Sequence, residues 1–186
     1  MFVIGPNVVK SVTIVEVSSE ELGGASTHST KSGVTHLTAL NDMDCINQVK
    51  TLLSYMPQNC EDVVVKYPYT LGDETREVLE TIVPASANQP YDIRSVINGI
   101  CDIDSFFEVH KYYAENIVVG FARLAGRSIG IVANQPMSLA GVLDIESSKK
   151  GARFTRFCDC FNIPLLVLVD VPGFLPGTDQ EWNGII

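Results

Sequence analysis

The densest hydrophobic pattern lies near the end of the chain. Six of the seven residues from Leu165 to Val171 are aliphatic, and Asp170 is the one polar position among them. A short, near-continuous apolar run predicts a strand covered on both faces, central in a sheet flanked by helices. Leu165 to Val169 are therefore expected to be almost wholly buried, and Val167→Asp to unfold the chain. Pro172-Gly173 and Pro176-Gly177 stop the run, and Thr178 to Glu181 spells Thr-x-x-Glu, a capping-box start for a new helix. Strand, stiff loop and helix start form the carboxyl edge at which open α/β sheets bind ligands.

Upstream the period changes. Asp144 is placed to cap a helix from Ile145 to Phe161, with Phe154, Phe157, Cys158 and Phe161 as its core stripe. Ile117–Leu124 and Ser128–Ala133 read as strands joined by Ala125-Gly126-Arg127, a hairpin signal. Phe106–Val109 and Ala140–Leu143 read as shorter strands. Asp92 caps a helix reaching Ile100, with Ile93, Val96, Ile97 and Ile100 inward. The second half thus reads β-β-(β)-α-β-loop-α.

In the first half, Phe2–Ile4 predicts a short strand and Asn7–Thr13 a short helix. Ser18 to Glu21 is a capping box leading into one turn, which Gly23-Gly24 breaks. Ala25 to Gly33 is small and polar, and reads either as a flexible linker or as a binding loop. Val34–Ala39 predicts a strand. Asn41–Met56 predicts a helix carrying Cys45, Ile46, Val49, Leu52, Leu53 and Met56 on one face, ended by Pro57. From Gln58 to Gln89 the periodicity disappears, apart from one helical turn near Glu74–Leu79. So long an aperiodic stretch fits a linker better than a loop inside one compact domain. The expected division is residues 1–56, a linker over 57–90, and a second module over 91–186.

Composition narrows the function classes. With 186 residues, 46% of them hydrophobic and 19% charged, the chain has the makings of a globular core. A net charge of −9 argues against nucleic-acid or anionic-membrane partners, which want clustered cations. No apolar run approaches the roughly 18 residues of a membrane helix, and the opening residues lack the features of a signal peptide. Five cysteines without a C-x-x-C pair predict free thiols in a reducing cytoplasm. Cys158 and Cys160, two apart on a helix, read as packing residues rather than metal ligands. The strand-like opening at Phe2 and the stop at Ile186 within a predicted helix lead us to expect a piece of a longer chain.

Recognisable side-chain chemistry is sparse. The sequence carries no Gly-x-Gly-x-x-Gly, Walker loop, His-Glu-x-x-His or nucleophile elbow. His28, His36 and His110 are too far apart in sequence to suggest a metal site, and no metal is expected. Only His28, in its small polar stretch, stands out as a candidate. What remains is backbone chemistry: the amides of Gly173 and Phe174, beside the helix start at Thr178, are the parts of an oxyanion hole as well as of a plain tight turn. Lys149, Arg153 and Arg156 make a basic stripe that reads as a solvated face or a phosphate contact.

Several motifs, in order, carry a resemblance. Leu22-Gly-Gly-Ala-Ser-Thr-His28, Lys31-Ser-Gly-Val-Thr-His36, Asn116-Ile-Val-Val-Gly-Phe-Ala-Arg123, Gly126-Arg127, Gly130-Ile-Val-Ala-Asn-Gln-Pro136, Gly151-Ala-Arg-Phe154 and Val169-Asp-Val-Pro-Gly-Phe-Leu-Pro-Gly177 resemble the carboxyltransferase (beta) subunits of acyl-CoA carboxylases. The resemblance is above all to the propionyl-CoA carboxylase type, and extends to the alpha subunit of methylmalonyl-CoA decarboxylase. It implies an α/β fold of crotonase-like ββα repeats, with residues 1–56 ending an N-terminal carboxyltransferase domain and 91–186 opening a C-terminal one.

It also implies carboxyl transfer from carboxybiotin to a short-chain acyl-CoA. Biotin would be carried on a partner subunit or domain, with a biotin carboxyl carrier and a biotin carboxylase as partners, in a homo-oligomer. Val171, Pro172, Gly173, Phe174, Leu175, Pro176 and Gly177, with Asn134 and Gln135, would lie at the substrate and biotin pocket. Gly23, Gly24 and His28 would face the CoA and biotin channel. No catalytic side chain is implied: the work falls to backbone donors and positioning, and Ser26 earns no role.

Overall fold

The computed structural model describes residues 1–69, 79–86 and 88–185. Its sheet is built around one hairpin. Strands β2 (Ile117–Leu124) and β3 (Arg127–Asn134) pair antiparallel in full register, from Leu124 opposite Arg127 to Ile117 opposite Asn134. Ala125 and Gly126 form the two-residue turn with φ of 52° and 75°, the left-handed geometry that matches the twist of the flanking strands. The Asp102 carboxylate accepts both turn amides, at 2.9 Å from Ala125 and 2.7 Å from Gly126. Position 126 has no room for a side chain, because a Cβ there would sit 1.9 Å from the Tyr67 carbonyl oxygen.

Strand β1 (Phe107–Val109) adds antiparallel to β2, and β4 (Leu165–Leu168) adds parallel to β3, giving the order β1-β2-β3-β4. Side chains alternate across the hairpin. Val118, Ala122, Ile129, Ile131 and Ala133 face Ile93 and Ile97, the buried positions of a helix spanning Ile93–Ile100. Val119 and Phe121 point the other way, onto Phe154 and Cys158 of the long helix Ile145–Cys160, and onto Tyr55. These two small cores hold the chain together.

In chain order the described helices are α1 (Pro6–Thr13), α2 (Ser19–Gly23), α3 (Ala25–Thr30), α4 (Asp42–Leu53), α5 (Ile93–Ile100), α6 (Ile145–Cys160) and α7 (Thr178–Trp182), with a single 3-10 turn at Leu139–Gly141. Ser18 and Glu21 make the expected capping box at α2, Asn41 caps α4, Asp92 caps α5, and Asp144 with Ser147 closes a box at α6. Lys150 of α6 is 3% exposed, and its ammonium donates to the carbonyls of His110, Tyr113, Ala114 and Ile117 at 2.6–3.2 Å. That one side chain fixes the turn between β1 and β2. Arg123 clamps the earlier chain to the sheet: its guanidinium lies 4.1 Å from the Tyr55 ring and 4.2 Å from the Tyr67 ring, and donates to the Ser54 hydroxyl at 2.7 Å.

Several expectations are corrected. Strand β4 is an edge of the sheet rather than its centre, and Leu165, Val167 and Val169 are 37%, 53% and 73% exposed. An apolar run reports what a strand is suited to touch, and among the described residues no element covers the outer edge of this one. Phe2–Ile4 and Val34–Ala39 are not strands, since neither finds a hydrogen-bonded partner strand among the described residues. Ala140–Leu143 is the 3-10 turn plus an isolated parallel bridge from Leu143 to Phe174, forced by Ala140 at φ 52°. Ala25 to Gly33 is neither linker nor loop for most of its length, because Gly24 starts α3 there. At α7, Gly177 is the N-cap and the Thr178 side chain does not cap it. Most of the helical turn expected near Glu74–Leu79 lies outside the described residues; residues 79–82 are helical.

Candidate functional site

The carboxyl ends of β3 and β4 open onto a cleft of about 630 Å³. One wall is Pro136, Ala140, Asp170, Val171 and Pro172; the other is Val83, Pro84 and Ser86 with Asn88, Gln89, Pro90 and Tyr91. Asp170, the single polar residue of the apolar run, organises the join. Its carboxylate accepts the Tyr91 hydroxyl at 2.7 Å, and its own amide donates to the Asn134 side-chain oxygen at 3.3 Å. Burial, and then the adjacent carboxylate, push the Tyr91 phenol up to about 12, so the hydroxyl stays protonated and remains the donor.

Asn134 and Gln135 stand behind this wall rather than on it. Asn134 is buried and donates to the Gly141 carbonyl at 3.0 Å. Gln135, 2% exposed, donates to Asp92 at 2.7 Å and accepts the amides of Ile93 and Met137 at 3.3 Å. Burial works against the ionised Asp92, but hydrogen bonds from Gln135 and Arg94 outweigh it and hold the carboxyl below its usual value. The polar side chains at the strand ends thus tie the start of α5 to the cleft.

Beyond Pro172 the loop is open. Gly173 sits at φ 149°, and a Cβ there would meet nothing within 4 Å. Its carbonyl accepts the Leu143 amide at 3.1 Å, and the Leu175 amide donates to the Leu143 carbonyl at 2.7 Å. The amides of Gly173 and Phe174 donate to no other described residue. They are unspent backbone donors on a loop held at Leu143, the raw material for stabilising negative charge on a carbonyl oxygen. Phe174 is 55% exposed; Pro176 and Gly177 lead directly into α7.

Gly23, Gly24 and His28 form a separate group near the N-terminus. Gly23 packs against Met1, Gly24 caps α3, and His28 pairs with the Ser32 hydroxyl at 2.8 Å and with the Met1 carbonyl. None of them lines the cleft at Val171. Among the described residues, no group of three or more His, Cys, Asp or Glu is placed to hold a metal.

Two arrangements escaped the sequence reading. Tyr91 and Asp170 are 79 positions apart, and only the interruption of the apolar run by Asp170 hinted at a task. His36 and His110, set aside for their separation, lie with ring centroids 4.1 Å apart and planes tilted by 38°, and the buried His110 also bonds the Gly33 carbonyl at 3.0 Å. Periodicity carries no signal for either pairing.

Comparison with known proteins places this geometry. The carboxyl transferase domain family matches residues 1–186. The chain is 56% identical over its whole length to the carboxyltransferase subunit of propionyl-CoA carboxylase from Haloferax mediterranei, of which it covers 36%. It is 51% identical to the alpha subunit of methylmalonyl-CoA decarboxylase from Veillonella parvula, covering 37% of that protein. The crystal structure of transcarboxylase 12S, a hexamer with methylmalonyl-coenzyme A and methylmalonic acid bound, superposes with a TM-score of 0.95 at 48% identity, over all of this chain and 36% of that one. The chain therefore spans little more than a third of the length of these relatives, with the crotonase-like fold expected from its motifs. Matched from its first residue to its last, this chain belongs to the carboxyl transferase domain family.

Proposed function

We propose that the chain is a segment of a biotin-dependent carboxyltransferase that moves a carboxyl group from carboxybiotin to a short-chain acyl-CoA, propionyl-CoA giving methylmalonyl-CoA. The observation that carries this reading is the whole-chain match to the family, supported by close superposition on a structure that holds methylmalonyl-coenzyme A. In this reading residues 1–56 close an N-terminal domain, 57–90 connect, and 91–186 open a C-terminal domain. The protein is cytoplasmic, works as a homo-oligomer, and meets a biotin carboxyl carrier and a biotin carboxylase.

The cleft suits such a group in size and in donor set. Its walls are apolar at Pro136, Val171 and Pro172, with polar atoms at Asp170 and Tyr91. Biotin, when bound, supplies the transferable carboxyl group. The chain's own residues do the positioning. Val171 and Pro172 exclude water from one side, Tyr91 and Asn134 hold Asp170 in place, and Gly173 leaves the backbone open to close approach. The free amides of Gly173 and Phe174 supplement the oxyanion donors that the rest of the subunit provides. Gly23, Gly24 and His28 border the CoA and biotin channel.

A second reading reverses the transfer, from methylmalonyl-CoA to biotin, and rests on the 51% identity to the decarboxylase subunit. The two separate experimentally by whether the assembled enzyme decarboxylates in a sodium-dependent way.

The test is carboxyl transfer from carboxybiotin to propionyl-CoA. The 186-residue chain alone should show none, because oxyanion donors supplied elsewhere in the subunit are worth about 3–4 kcal/mol each. The complete subunit encoded around it should turn over with its biotinylated carrier. Turnover by the short chain would show the site to be misplaced, and an inert complete subunit would overturn the reading.

A further inference from the structure

On the α6 face of the sheet a second cavity, of about 250 Å³, has a different character. Its floor is Phe121, Phe154 and Phe157, and its sides are Leu37 and Leu52. Its polar lining residues are His36, the buried His110 and the exposed Arg153. Arg153 and Phe157 are one helical turn apart on α6, so cation and aromatic ring border the same opening.

The charge at this opening is uncompensated. Arg153 makes no hydrogen bond or ion pair with any described residue, whereas the neighbouring Lys149 is paired with Glu146 at 3.1 Å. Its charge reaches the two adjacent imidazoles: burial, and then Arg153, hold His36 below its usual value. Exposed and without a described protein partner, the Arg153 guanidinium is available to an anion at the edge of this hollow.

We infer that this cavity binds a small organic carboxylate with a compact apolar body. The carboxylate pairs with the Arg153 guanidinium, whose planar fork suits two parallel N–H···O bonds. The body enters the hollow against Phe121 and Phe157, whose ring centroids are 6.0 Å apart at an interplanar angle of 68°. Room is sufficient, since an apolar cavity of about 150 Å³ already accepts a benzene ring. The site is independent of carboxyl transfer at the β3–β4 cleft.

Phenylacetate is a suitable probe, titrated into the isotopically labelled full chain and followed by NMR. Saturable shifts should be confined to residues lining the cavity, among them His36, His110, Phe121, Arg153 and Phe157. Arg153→Gln should weaken binding by about tenfold or more, the scale of a lost hydrogen bond to a charged group, with an unchanged melting temperature because Arg153 is exposed and unpartnered. The neutral isostere phenylacetamide should bind the native chain more weakly by a similar factor. Equal binding of acid and amide, equal binding by Arg153→Gln, or shifts scattered over the surface would overturn the proposal. So would concentration-dependent shifts of Phe157 without phenylacetate, which would mark a second copy of the chain on this face.

Discussion

His110 shows how a single residue is set by its surroundings. Burial first, then the adjacent His36, hold its pKa at about 4 against an ordinary 6.5. The folded value is the lower one, so folding favours the neutral ring; Arg153 and Lys150 add positive charge nearby and act in the same direction. Its contribution to stability is complete above pH 6.5 and is lost as pH falls toward 4. The melting temperature should therefore fall across that window, and fall less in His110→Gln, whose amide can still donate to Gly33 but cannot charge. Identical slopes for the two proteins would show that His110 does not titrate as argued. Burial likewise pulls the Lys150 pKa down, to about 8, with Glu108 and Glu115 opposing it, so the ammonium that four carbonyls accept stays mostly charged at neutral pH.

At the scale of elements, the contrast between β2 and β4 is the instructive one. Both are aliphatic runs, but Val118 and Val119 are 0% exposed while Val167 is 53% exposed. Strand β2 is central because the hairpin turn pins β3 to one side and β1 pairs on the other. Among the described residues, strand β4 has only β3 as a neighbour. Val119→Asp should cost several kcal/mol and unfold the chain, as an unpaired buried carboxylate does. Val167→Asp should shift stability by no more than about 0.5 kcal/mol, as an exposed substitution does. Thermal denaturation of the two variants checks this directly, and a collapse of Val167→Asp would mean that the outer edge of β4 is covered in solution.

The whole molecule leaves much apolar surface uncovered. Val3, Leu40 and Trp182 are 102%, 95% and 81% exposed, and Val169, just after β4, and Phe174, on the loop beyond it, are 73% and 55% exposed. Contiguous exposed apolar patches of more than a few hundred Å² promote association. The chain should sediment as an oligomer and bind a hydrophobic dye. A clean monomer at tens of micromolar with no dye binding would show that these side chains find cover within the chain. No helix among the described residues is long and apolar enough to cross a membrane, so a membrane-spanning helix does not account for the exposed residues.

Local rules were legible from the residues alone. The hairpin at Ala125-Gly126, the caps at Ser18, Asp92 and Asp144, and the Phe154 and Cys158 positions of the α6 stripe each depend on neighbours within a few positions, and each formed where its signal lay, while Phe157 of that stripe is 37% exposed. The ordered motifs from Gly23 to Gly177 likewise pointed to the family that the whole chain matches. What required the fold were relations between distant residues: the rank of a strand within its sheet, the Tyr91–Asp170 bond across the cleft, and the approach of the His36 ring to that of His110. An apolar run states that a strand can be buried; only the neighbours that the fold brings to it determine whether it is.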